Sequence, residues 1–383
     1  MAKIDRALVV GAGICGLGVG IALARQGIDT EVVEIKSGPN VFGVGINQPG
    51  NSLRAMKKIG IYEQVRYAGF EIGRLDFNDA DGNLIVQVPY HLAGGGVPHA
   101  IGIPRPELHR ILIEASEAEG VRLTFGVSVD QLAEDRDRAR VTLTDGREET
   151  FDLVVGADGV NSTIREQIFG DAYPPQFTGA GSWRLTVPRP DWVDSIGLFQ
   201  GTDGKAGYIP LTQETMYVLL VRPEKWPARF DKGALPQMFR ERLAPFGGHI
   251  AAIREAITDE DDVVYGPLHE VKVPLPWNRG PVVLCGDAVH ACTPQMTQGA
   301  GMAFEDAVVL AEEVAVDRPV ADSLQAFGER RYPRTKFVQD ASRAMLDVES
   351  SITEENRDQS FEEWREFLPA RSVEVDAILA QVP

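Results

Sequence analysis

The stretch that decides the fold is Ala7–Ala24, which reads ALVVGAGICGLGVGIALA and contains no polar side chain. Its five glycines, at positions 11, 13, 16, 18 and 20, make one continuous apolar helix unfavourable. The pattern instead predicts a buried strand over Ala7–Val10, a tight loop over Gly11–Gly16 and a helix over Leu17–Gln26. Gly27, just past the last helical residue, is the expected helix terminator.

A glycine fingerprint within this stretch predicts a dinucleotide site. Gly11, Gly13 and Gly16 form G-x-G-x-x-G, in which the first makes the turn, the second admits a pyrophosphate and the third allows close helix packing. Free amides at the helix N-terminus would hold the phosphates. A second strand is predicted at 30–33, and Glu34 follows it where a carboxylate binds ribose hydroxyls. An acid there favours FAD or NAD over NADP.

This stretch leaves two interpretations of where the protein is located. Its apolar length and the small residues Ala22-Leu23-Ala24 also fit a signal peptide or, more weakly, a membrane anchor. The chain has three cysteines, at positions 15, 285 and 292, and no two of them form a C-x-x-C pair. They therefore predict neither a disulfide framework nor a cysteine-rich zinc site. A reducing, cytoplasmic location without membrane association is the expectation.

The composition narrows the class of protein. The chain has 383 residues, enough for two or three domains with a buried core. Its 38 basic and 56 acidic side chains give a net charge of −18, which disfavours nucleic acid as a partner. Hydrophobic content of 44% and charged content of 25% are typical of globular proteins. No metal is expected, because the acidic run at 259–262 is interpreted as a solvated loop.

A second informative stretch is DLVVGADGVNSTIR, residues 152–165. It predicts a strand at 153–155, a turn through Asp158, and a short polar helix that contains Ser162 and Arg165. Taken alone, an Asp at such a turn is most simply a helix cap.

The third stretch is PVVLCGDAVHACTPQMTQGAGMAFED, residues 281–306. It predicts a buried strand at 282–285 and a loop stiffened by Pro294. Gly299-Ala300-Gly301 then opens a long helix over about 302–316. Amides at the start of that helix predict a second site that stabilises negative charge.

These three stretches together resemble the single-component FAD-dependent aromatic hydroxylases. The shared motifs are GxGxxG at Gly11, DG-x-x-S-x-x-R at 158–165 and GDAxHxxxP at 286–294. The following TQGAGMAFEDA, residues 297–307, is most similar to the branch of salicylate, 3-hydroxybenzoate 6- and urate hydroxylases. The resemblance spans about residues 5–345. It implies an α/β fold, a Rossmann-like FAD-binding domain with an inserted antiparallel β-sheet substrate domain and C-terminal helices.

The resemblance also assigns roles along the cofactor. Arg105, just before a predicted helix at 107–117, would lie along the FAD chain, and Val129 would meet the adenine through its backbone. Asp158 would position the pyrophosphate or the passing nicotinamide. Lys36 stands where relatives often have Arg beside the ribose. The implied FAD-binding residues are Gly11, Gly13, Gly16, Glu34, Lys36, Arg105, Val129, Asp158, Asp287, Gly299, Ala300 and Gly301.

At the reactive end, the resemblance places Asp287 on a ribityl hydroxyl and Pro294 with Gly299–Gly301 against the isoalloxazine ring. The helix N-terminus there would stabilise negative charge on the reduced flavin. His290 of the same motif is interpreted as a structural residue rather than a base. NADH or NADPH would reduce the flavin, and O₂ would then give a flavin 4a-hydroperoxide that hydroxylates the substrate.

An inserted sheet is indicated by a change in pattern. Short strands between Gly, Pro and Asp turns are predicted at 182–187, 196–199, 206–211 and 216–221. The segment 77–88, with Asp81-Gly82 as a hairpin turn, is expected to join them. The predicted division is a FAD-binding domain of residues 1–74, 100–177 and 276–345, a substrate sheet of 75–99 and 178–275, and a helical tail of 346–383.

The residues that touch the substrate are the least determined by the sequence. Tyr217 is a candidate catalytic and substrate residue, although core packing explains a mid-strand tyrosine as well. Arg184 is an unusual charge inside an apolar strand and would bind a carboxylate, unless it faces solvent. Pro294 is the third candidate at the reaction centre. Asn47 and Tyr208 are further candidates for contact with the substrate.

The function expected is hydroxylation of a small aromatic or heteroaromatic compound, such as a hydroxybenzoate-like acid, phenol, hydroxypyridine or purine. One alternative is a related FAD epoxidase or reductase that acts on an isoprenoid or antibiotic precursor, although no W-x-W-x-I-P halogenase signature occurs. A non-catalytic FAD-binding or redox-sensing protein is another. The enzyme is expected to be a monomer or a homodimer.

Overall fold

The computed structural model describes residues 4–39, 43–90, 96–135, 137–225 and 230–383, so parts of the expected domain ranges, such as 91–95, lie outside the described residues. In chain order its strands are β1 (Arg6–Val10), β2 (Asp29–Glu34), β3 (Gly45–Pro49), β4 (Phe70–Ile72), β5 (Arg74–Asp79), β6 (Leu84–Pro89), β7 (Ala100–Pro104), β8 (Arg122–Phe125), β9 (Val129–Asp135), β10 (Arg138–Leu143), β11 (Glu148–Phe151), β12 (Leu153–Gly156), β13 (Gln176–Pro188), β14 (Ile196–Gly201), β15 (Gly204–Pro210), β16 (Thr215–Pro223), β17 (Val264–Glu270), β18 (Asn278–Arg279) and β19 (Val282–Leu284). Its helices are α1 (Ile14–Ala24), α2 (Gly50–Ile59), α3 (Tyr62–Ala68), α4 (Arg105–Ala118), α5 (Thr163–Phe169), α6 (Leu235–Leu243), α7 (Gly248–Ala256), α8 (Asp287–His290), α9 (Gly299–Val314), α10 (Val320–Ser350) and α11 (Arg357–Leu379).

The apolar stretch at 7–24 forms the centre of a six-stranded sheet ordered β18-β19-β12-β1-β2-β8. All neighbours are parallel except β18 and β19. A parallel strand is covered on both faces, which is why β1 and β12 are continuous apolar runs. The predicted strands at 7–10, 30–33, 153–155 and 282–285 are all confirmed. In the described ranges, no helix combines the length and apolar character needed to cross a bilayer.

Helix α1 begins three residues earlier than the sequence predicted. Gly13 is its N-cap, so the helix starts at Ile14 and the third fingerprint glycine lies inside the first turn. The later glycines serve close packing, because a Cβ at Gly18 would lie 3.4 Å from the Phe304 ring, and one at Gly20 would lie 3.0 Å from a Val32 methyl. The glycines therefore bring α1 against α9 and β2.

A seven-stranded sheet ordered β17-β13-β16-β15-β14-β5-β6 forms the second layer. It contains every short strand that the sequence predicted, and β5 and β6 form the predicted hairpin with Gly82 at φ +95°. Its neighbours are antiparallel except β14 and β5. Alternation divides β16 between two faces: Met216, Val218 and Leu220 pack with α6 and α7, whereas Tyr217 and its alternate neighbours face the other way.

Smaller elements complete the fold. The sheets β3-β7-β4 and β11-β10-β9 have three antiparallel strands each. The C-terminal region is helical, as predicted, and the Trp364 ring of α11 packs edge-on at 6.3 Å from the Phe77 ring of β5. Helix α10 continues through residue 345, so the predicted boundary between the FAD-binding domain and the tail falls inside one helix. The fold class expected from the sequence is confirmed.

Candidate cofactor and substrate site

The fingerprint turn is a backbone arrangement that only glycine allows at two positions. Gly11 has φ +105°, and a Cβ there would lie 2.6 Å from the carbonyl oxygen of Ala157. A Cβ on Gly16 would lie 1.8 Å from the carbonyl oxygen of Gly11, a severe clash. By contrast, a Cβ on Gly13 would meet no atom of a described residue within 4 Å. Gly11 and Gly16 thus hold the turn together, while Gly13 leaves open space in front of the helix N-terminus.

Glu34 lies beside this turn at the end of β2. Its carboxylate accepts hydrogen bonds from the backbone N–H of Ala12 at 2.9 Å and of Lys36 at 3.0 Å. The carbonyl oxygen of Ala12 lies 2.7 Å from Nε2 of the buried His109, whose pKa is lowered mainly by burial. Together with Phe125, these residues line a cavity of about 150 Å³ next to the turn. We call it the adenosine-side cavity.

Two residues of this cavity, His109 and Phe125, were missed by the sequence analysis, because each belongs to a segment with no fingerprint. Val129, which the resemblance assigned to the adenine, is buried at the start of β9 and lines neither of the two cavities described here. Its backbone contact with the adenine stays a prediction.

Arg105 connects the adenosine-side cavity to a second, larger one. It lines both, as do Gly13 and Ile14. Its Nε is buried and has no hydrogen-bond partner within the described residues. Burial and, next, the charge of Arg184 lower the pKa of Arg105. The charge of Asp287 raises this pKa in turn, but no carboxylate of the described residues forms an ion pair with Arg105. A largely buried cation at the junction of two cavities is suited to an anionic group of an extended ligand, such as a pyrophosphate.

Asp158 acts as a cap on a neighbouring helix. One carboxylate oxygen accepts hydrogen bonds from the first two backbone amides of α5, at 2.7 and 3.1 Å, whereas the other is buried without a partner in the described ranges. Arg165 donates to the carbonyl oxygens of Val160 and Ala288, both at 2.9 Å, and so ties this turn to α8. Direct contact of Asp158 with a cofactor stays a prediction.

The larger cavity, of about 350 Å³, lies between the start of α9 and the seven-stranded sheet. We call it the cleft. On the α9 side it is lined by Asp287, Pro294, Gly299 and Ala300. Gly301 does not line it: a Cβ there would point at the Gln298 side chain, 2.8 Å away. The Cα–H of this residue therefore faces α2, and its contact with the ring stays a prediction.

A buried polar network fixes the start of α9. The Asp306 carboxylate accepts hydrogen bonds from the backbone N–H of Gly286 at 2.9 Å, from Nε2 of His290 at 2.7 Å and from Nε of Arg331 at 2.8 Å. Burial opposes ionisation, but the charges of His290 and Arg331 outweigh it and lower the pKa of Asp306. Arg331 also pairs with Glu305 at 2.8 Å. His290 thus has a structural position, as the sequence suggested.

The opposite wall of the cleft is one face of the seven-stranded sheet. Tyr217 and Arg184 both lie on it, on β16 and β13. Tyr217 is buried, which raises its pKa, and it forms no hydrogen bond with a described residue. Arg184 is half-buried and forms no ion pair within the described chain. The remaining aliphatic side chains of this wall are Leu75, Ile196, Leu198, Ile209, Leu219 and Val221.

Tyr208 is placed elsewhere, which corrects the prediction that it touches the substrate. Strand alternation turns Ile209 toward the cleft and Tyr208 to the opposite face, among the residues that pack on α6 and α7. Burial raises the pKa of Tyr208 to about 12, and its hydroxyl lies 3.4 Å from Nδ1 of His249. Successive residues of a strand face opposite sides of the sheet. The sequence pattern did not determine which residues of β15 face the cleft.

A charged pair at one end of the cleft was missed by the sequence analysis. Lys205 of β15 lines the cleft and is hydrogen-bonded to Glu349 of α10, and both side chains are at least nine-tenths buried. The other carboxylate oxygen of Glu349 accepts from Gln295, at 3.4 Å, in the turn before α9. This chain of side chains joins the two walls. The only available signal was a lone lysine in an apolar strand.

Asn47, which the sequence analysis named as a candidate for contact with the substrate, lies on β3 and lines the cleft. Its Nδ2 donates to the hydroxyl of Tyr90 at 2.9 Å and to Oγ1 of Thr297 at 3.3 Å, while its Oδ1 is buried and lacks a partner in the described residues. Thr297 has φ +52°, and among the described residues no other non-glycine has a positive φ. Such a conformation costs a β-branched residue about 1–3 kcal/mol.

Comparison with known proteins agrees with this geometry. Residues 5–342 match the family described as FAD binding domain. The chain is 34% identical over 339 residues to 2-heptyl-3-hydroxy-4(1H)-quinolone synthase of Pseudomonas aeruginosa, with 88% of this chain and 87% of that protein covered. It is 31% identical over 320 residues to 6-hydroxynicotinate 3-monooxygenase of Bordetella bronchiseptica, with 80% and 81% covered.

Among solved structures, Klebsiella pneumoniae HpxO complexed with FAD and uric acid has the same fold. The TM-score is 0.88 at 24% sequence identity, and the alignment covers 99% of this chain and 97% of that chain. The family match and the relatives identify a flavin-dependent monooxygenase of the aromatic hydroxylase type. The chain belongs to this FAD-binding family. The resemblance inferred from the three motifs is thereby confirmed.

Proposed function

We propose that this enzyme uses NADH or NADPH and O₂ to hydroxylate a small aromatic or heteroaromatic compound bound in the cleft. The observation that carries the proposal is the junction of the two cavities at Gly13, Ile14 and Arg105. It gives one extended ligand a path from the carboxylate of Glu34 to the start of α9. The far wall of the cleft is then left for a second, smaller ring.

The described residues fit FAD along that path. Glu34 and Lys36 would hold the ribose and Arg105 the pyrophosphate, since its Nε has no partner in the described part of the chain. Asp287 is exposed at the cleft, where it would accept a hydrogen bond from a ribityl hydroxyl. Pro294 and the first residues of α9 would lie at the ring. Val129 and Asp158 keep their expected roles as proposals.

When bound, FAD reduced by the nicotinamide supplies activation of O₂ and transfer of one oxygen atom. The aromatic C–H becomes C–OH, the second oxygen atom leaves as water, and the nicotinamide supplies the two electrons. The chain's own contribution is electrostatic and steric. Amides at the start of α9 stabilise negative charge near the ring, and the aliphatic wall excludes water from the cleft.

The charges of the cleft favour a substrate with an ionised oxygen. Lys205 is neutralised by Glu349, whereas Arg184 has no counterion in the described chain. Arg184 would bind a carboxylate or ring oxygenate, and Tyr217 would contact the activated ring. The names of the relatives, a hydroxyquinolone synthase and a hydroxynicotinate monooxygenase, support a heteroaromatic compound.

The test is turnover with a panel of compounds. The FAD-loaded protein is mixed with NADH or NADPH and with hydroxybenzoates, hydroxynicotinates, purines, quinolones and phenols. We expect at least one compound to accelerate nicotinamide oxidation and to yield a product heavier by one oxygen atom. Arg184→Met should weaken binding of an acidic substrate by about 10–100-fold without loss of FAD, and Arg184→Lys should lose less. Formation of hydrogen peroxide alone with every compound would contradict the proposal.

We also propose that the protein acts in the cytoplasm, as a monomer or homodimer. The absence of C-x-x-C cysteine pairs supports a reducing location. We propose a division into a FAD-binding domain, an inserted substrate sheet and a tail. The boundary predicted at residue 345 is moved to the end of α10, because it fell inside that helix.

A further inference from the structure

Asn47, which lines the cleft, has a buried side-chain acceptor without a partner among the described residues. Asn47 is 3% exposed, and its Oδ1 has no partner within the described residues although the side chain lines the cleft. Its Nδ2 donates to two hydroxyls, those of Tyr90 and Thr297. In this arrangement the amide nitrogen faces the two hydroxyls, and the carbonyl oxygen has no donor among the described residues. A buried acceptor left unpaired costs free energy, and a donor on a bound ligand would recover that cost.

The hydroxyl on one side of this amide belongs to a strained residue. Thr297 occupies the left-handed region, where glycine is the ordinary choice. A hydrogen bond between its own N–H and the carbonyl oxygen of Pro294, at 2.9 Å, closes the turn that leads into α9. Glycine would make the same backbone bond without strain. Threonine adds only the hydroxyl that contacts Asn47. Because backbone strain is retained at a residue that lines the cleft, we assign a function to that hydroxyl.

We propose that Thr297 and Tyr90 are positioning residues that hold the Asn47 carbonyl oxygen toward the cleft as an acceptor for an N–H or O–H donor on a bound ring. Two rings carry such a donor: the imide N–H of the FAD isoalloxazine, and a ring N–H or hydroxyl of the substrate. Asn47 and Thr297 lie on the α9 side of the cleft rather than on the seven-stranded sheet. This position favours the flavin. The proposal depends on FAD binding and not on the identity of the substrate.

The first arm of the test measures the affinity of the apoprotein for FAD without substrate, by quenching of flavin fluorescence. Thr297→Gly, Tyr90→Phe and Asn47→Leu should each weaken FAD binding by about two- to tenfold, as expected for loss of one hydrogen bond. Thr297→Ser keeps the hydroxyl and should retain most of the affinity. Tyr208→Phe is the matched control, because it removes a buried tyrosine hydroxyl from the opposite face of the sheet.

The second arm repeats the measurement with 3-hydroxybenzoate, 6-hydroxynicotinate and uric acid on the FAD-loaded variants, read from the flavin spectrum. Unchanged FAD affinity with weaker binding of a probe assigns the donor to the substrate. Unchanged affinity for FAD and for all three probes overturns the proposal. Thermal unfolding of the apoprotein separates folding from binding: Thr297→Gly should keep or raise the midpoint, because glycine relieves the left-handed strain. A lower midpoint with unchanged affinities would mean that Thr297 has only a structural role.

Discussion

The two walls of the cleft are built over very different distances along the chain. On the cofactor side, Gly16 packs on Gly11 five residues away, and Pro294 and α9 come from one short segment. On the sheet side, Lys205 meets Glu349 across 144 positions of sequence. A local backbone motif can be recognised in a sequence, whereas a wall of side chains depends on strand register and on distant helices.

The largest effect is expected at the glycine turn, which is built from neighbouring residues of the chain. Gly16→Ala places a methyl group 1.8 Å from the carbonyl oxygen of Gly11, closer than any relaxation of a side chain can relieve. We expect loss of measurable FAD binding and destabilisation beyond the about 1–3 kcal/mol usual for overpacking. Flavin titration and urea unfolding measure the two effects.

Gly13→Ala is the matched control for that change. Its Cβ would meet no atom within 4 Å in the described ranges, so the apoprotein should keep its stability within about 1 kcal/mol. FAD affinity should still fall, because the added methyl group occupies the space left for the pyrophosphate. Equal loss of apoprotein stability in both variants would contradict the distinct roles of the two glycines.

The next largest effect is expected on the sheet side of the cleft, at the pair of Lys205 and Glu349. Lys205→Met leaves the Glu349 carboxylate buried without its cation, which should cost about 3–5 kcal/mol in free energy of unfolding. The double variant Lys205→Met/Glu349→Leu should recover most of that loss, since no unpaired charge remains. Urea unfolding of the apoprotein provides the measurement. Additive losses in the double variant would show that the two residues do not act as a pair.

A smaller effect is expected for the tyrosine in the cleft. Tyr217→Phe should retain FAD and lower the rate of product formation by about tenfold or more, if the hydroxyl contacts the reacting ring. Tyr208→Phe, on the other face of the sheet, should leave that rate unchanged. Product is counted by mass spectrometry per nicotinamide oxidised. An unaltered rate in Tyr217→Phe would assign this residue to core packing.

The smallest effect is a pH dependence in the cofactor region. The pKa of His109 is lowered in the folded protein, mainly by burial, so the unfolded chain takes up the proton first as the pH falls below about 6.5. The folded state therefore loses stability below that pH, by at most about 1.4 kcal/mol per pH unit for one proton. Thermal unfolding between pH 8 and 5 should show a smaller loss for His109→Gln. Parallel curves for the two proteins would contradict this assignment.

The sequence predicted what is local and missed what is distant. Gly11, Gly13, Gly16 and Glu34 follow from one strand–turn–helix unit, whose backbone requirements are visible in the residues themselves. Arg184 was found as a charge in an apolar strand, and Lys205 carries the same signal but was overlooked. Its partner Glu349 lies in a charged helix that resembles any solvated face.

Two other residues depended on details that no sequence pattern gives. Tyr208 was misplaced because the parity of β15 decides which face a side chain meets. Thr297 carries no signal at all, since a positive φ at a non-glycine residue is visible only in the fold. The backbone motifs thus indicate the proposed cofactor site, and the strand register determines which side chains face the cleft.

The most direct measurement is reconstitution of the purified chain with FAD, followed by absorption spectroscopy after removal of free flavin. The account predicts a yellow protein with one FAD per chain, and less bound FAD in Gly13→Ala. A chain that remains colourless after reconstitution, while circular dichroism shows it folded, would contradict the assignment of the joined cavities to one extended flavin cofactor.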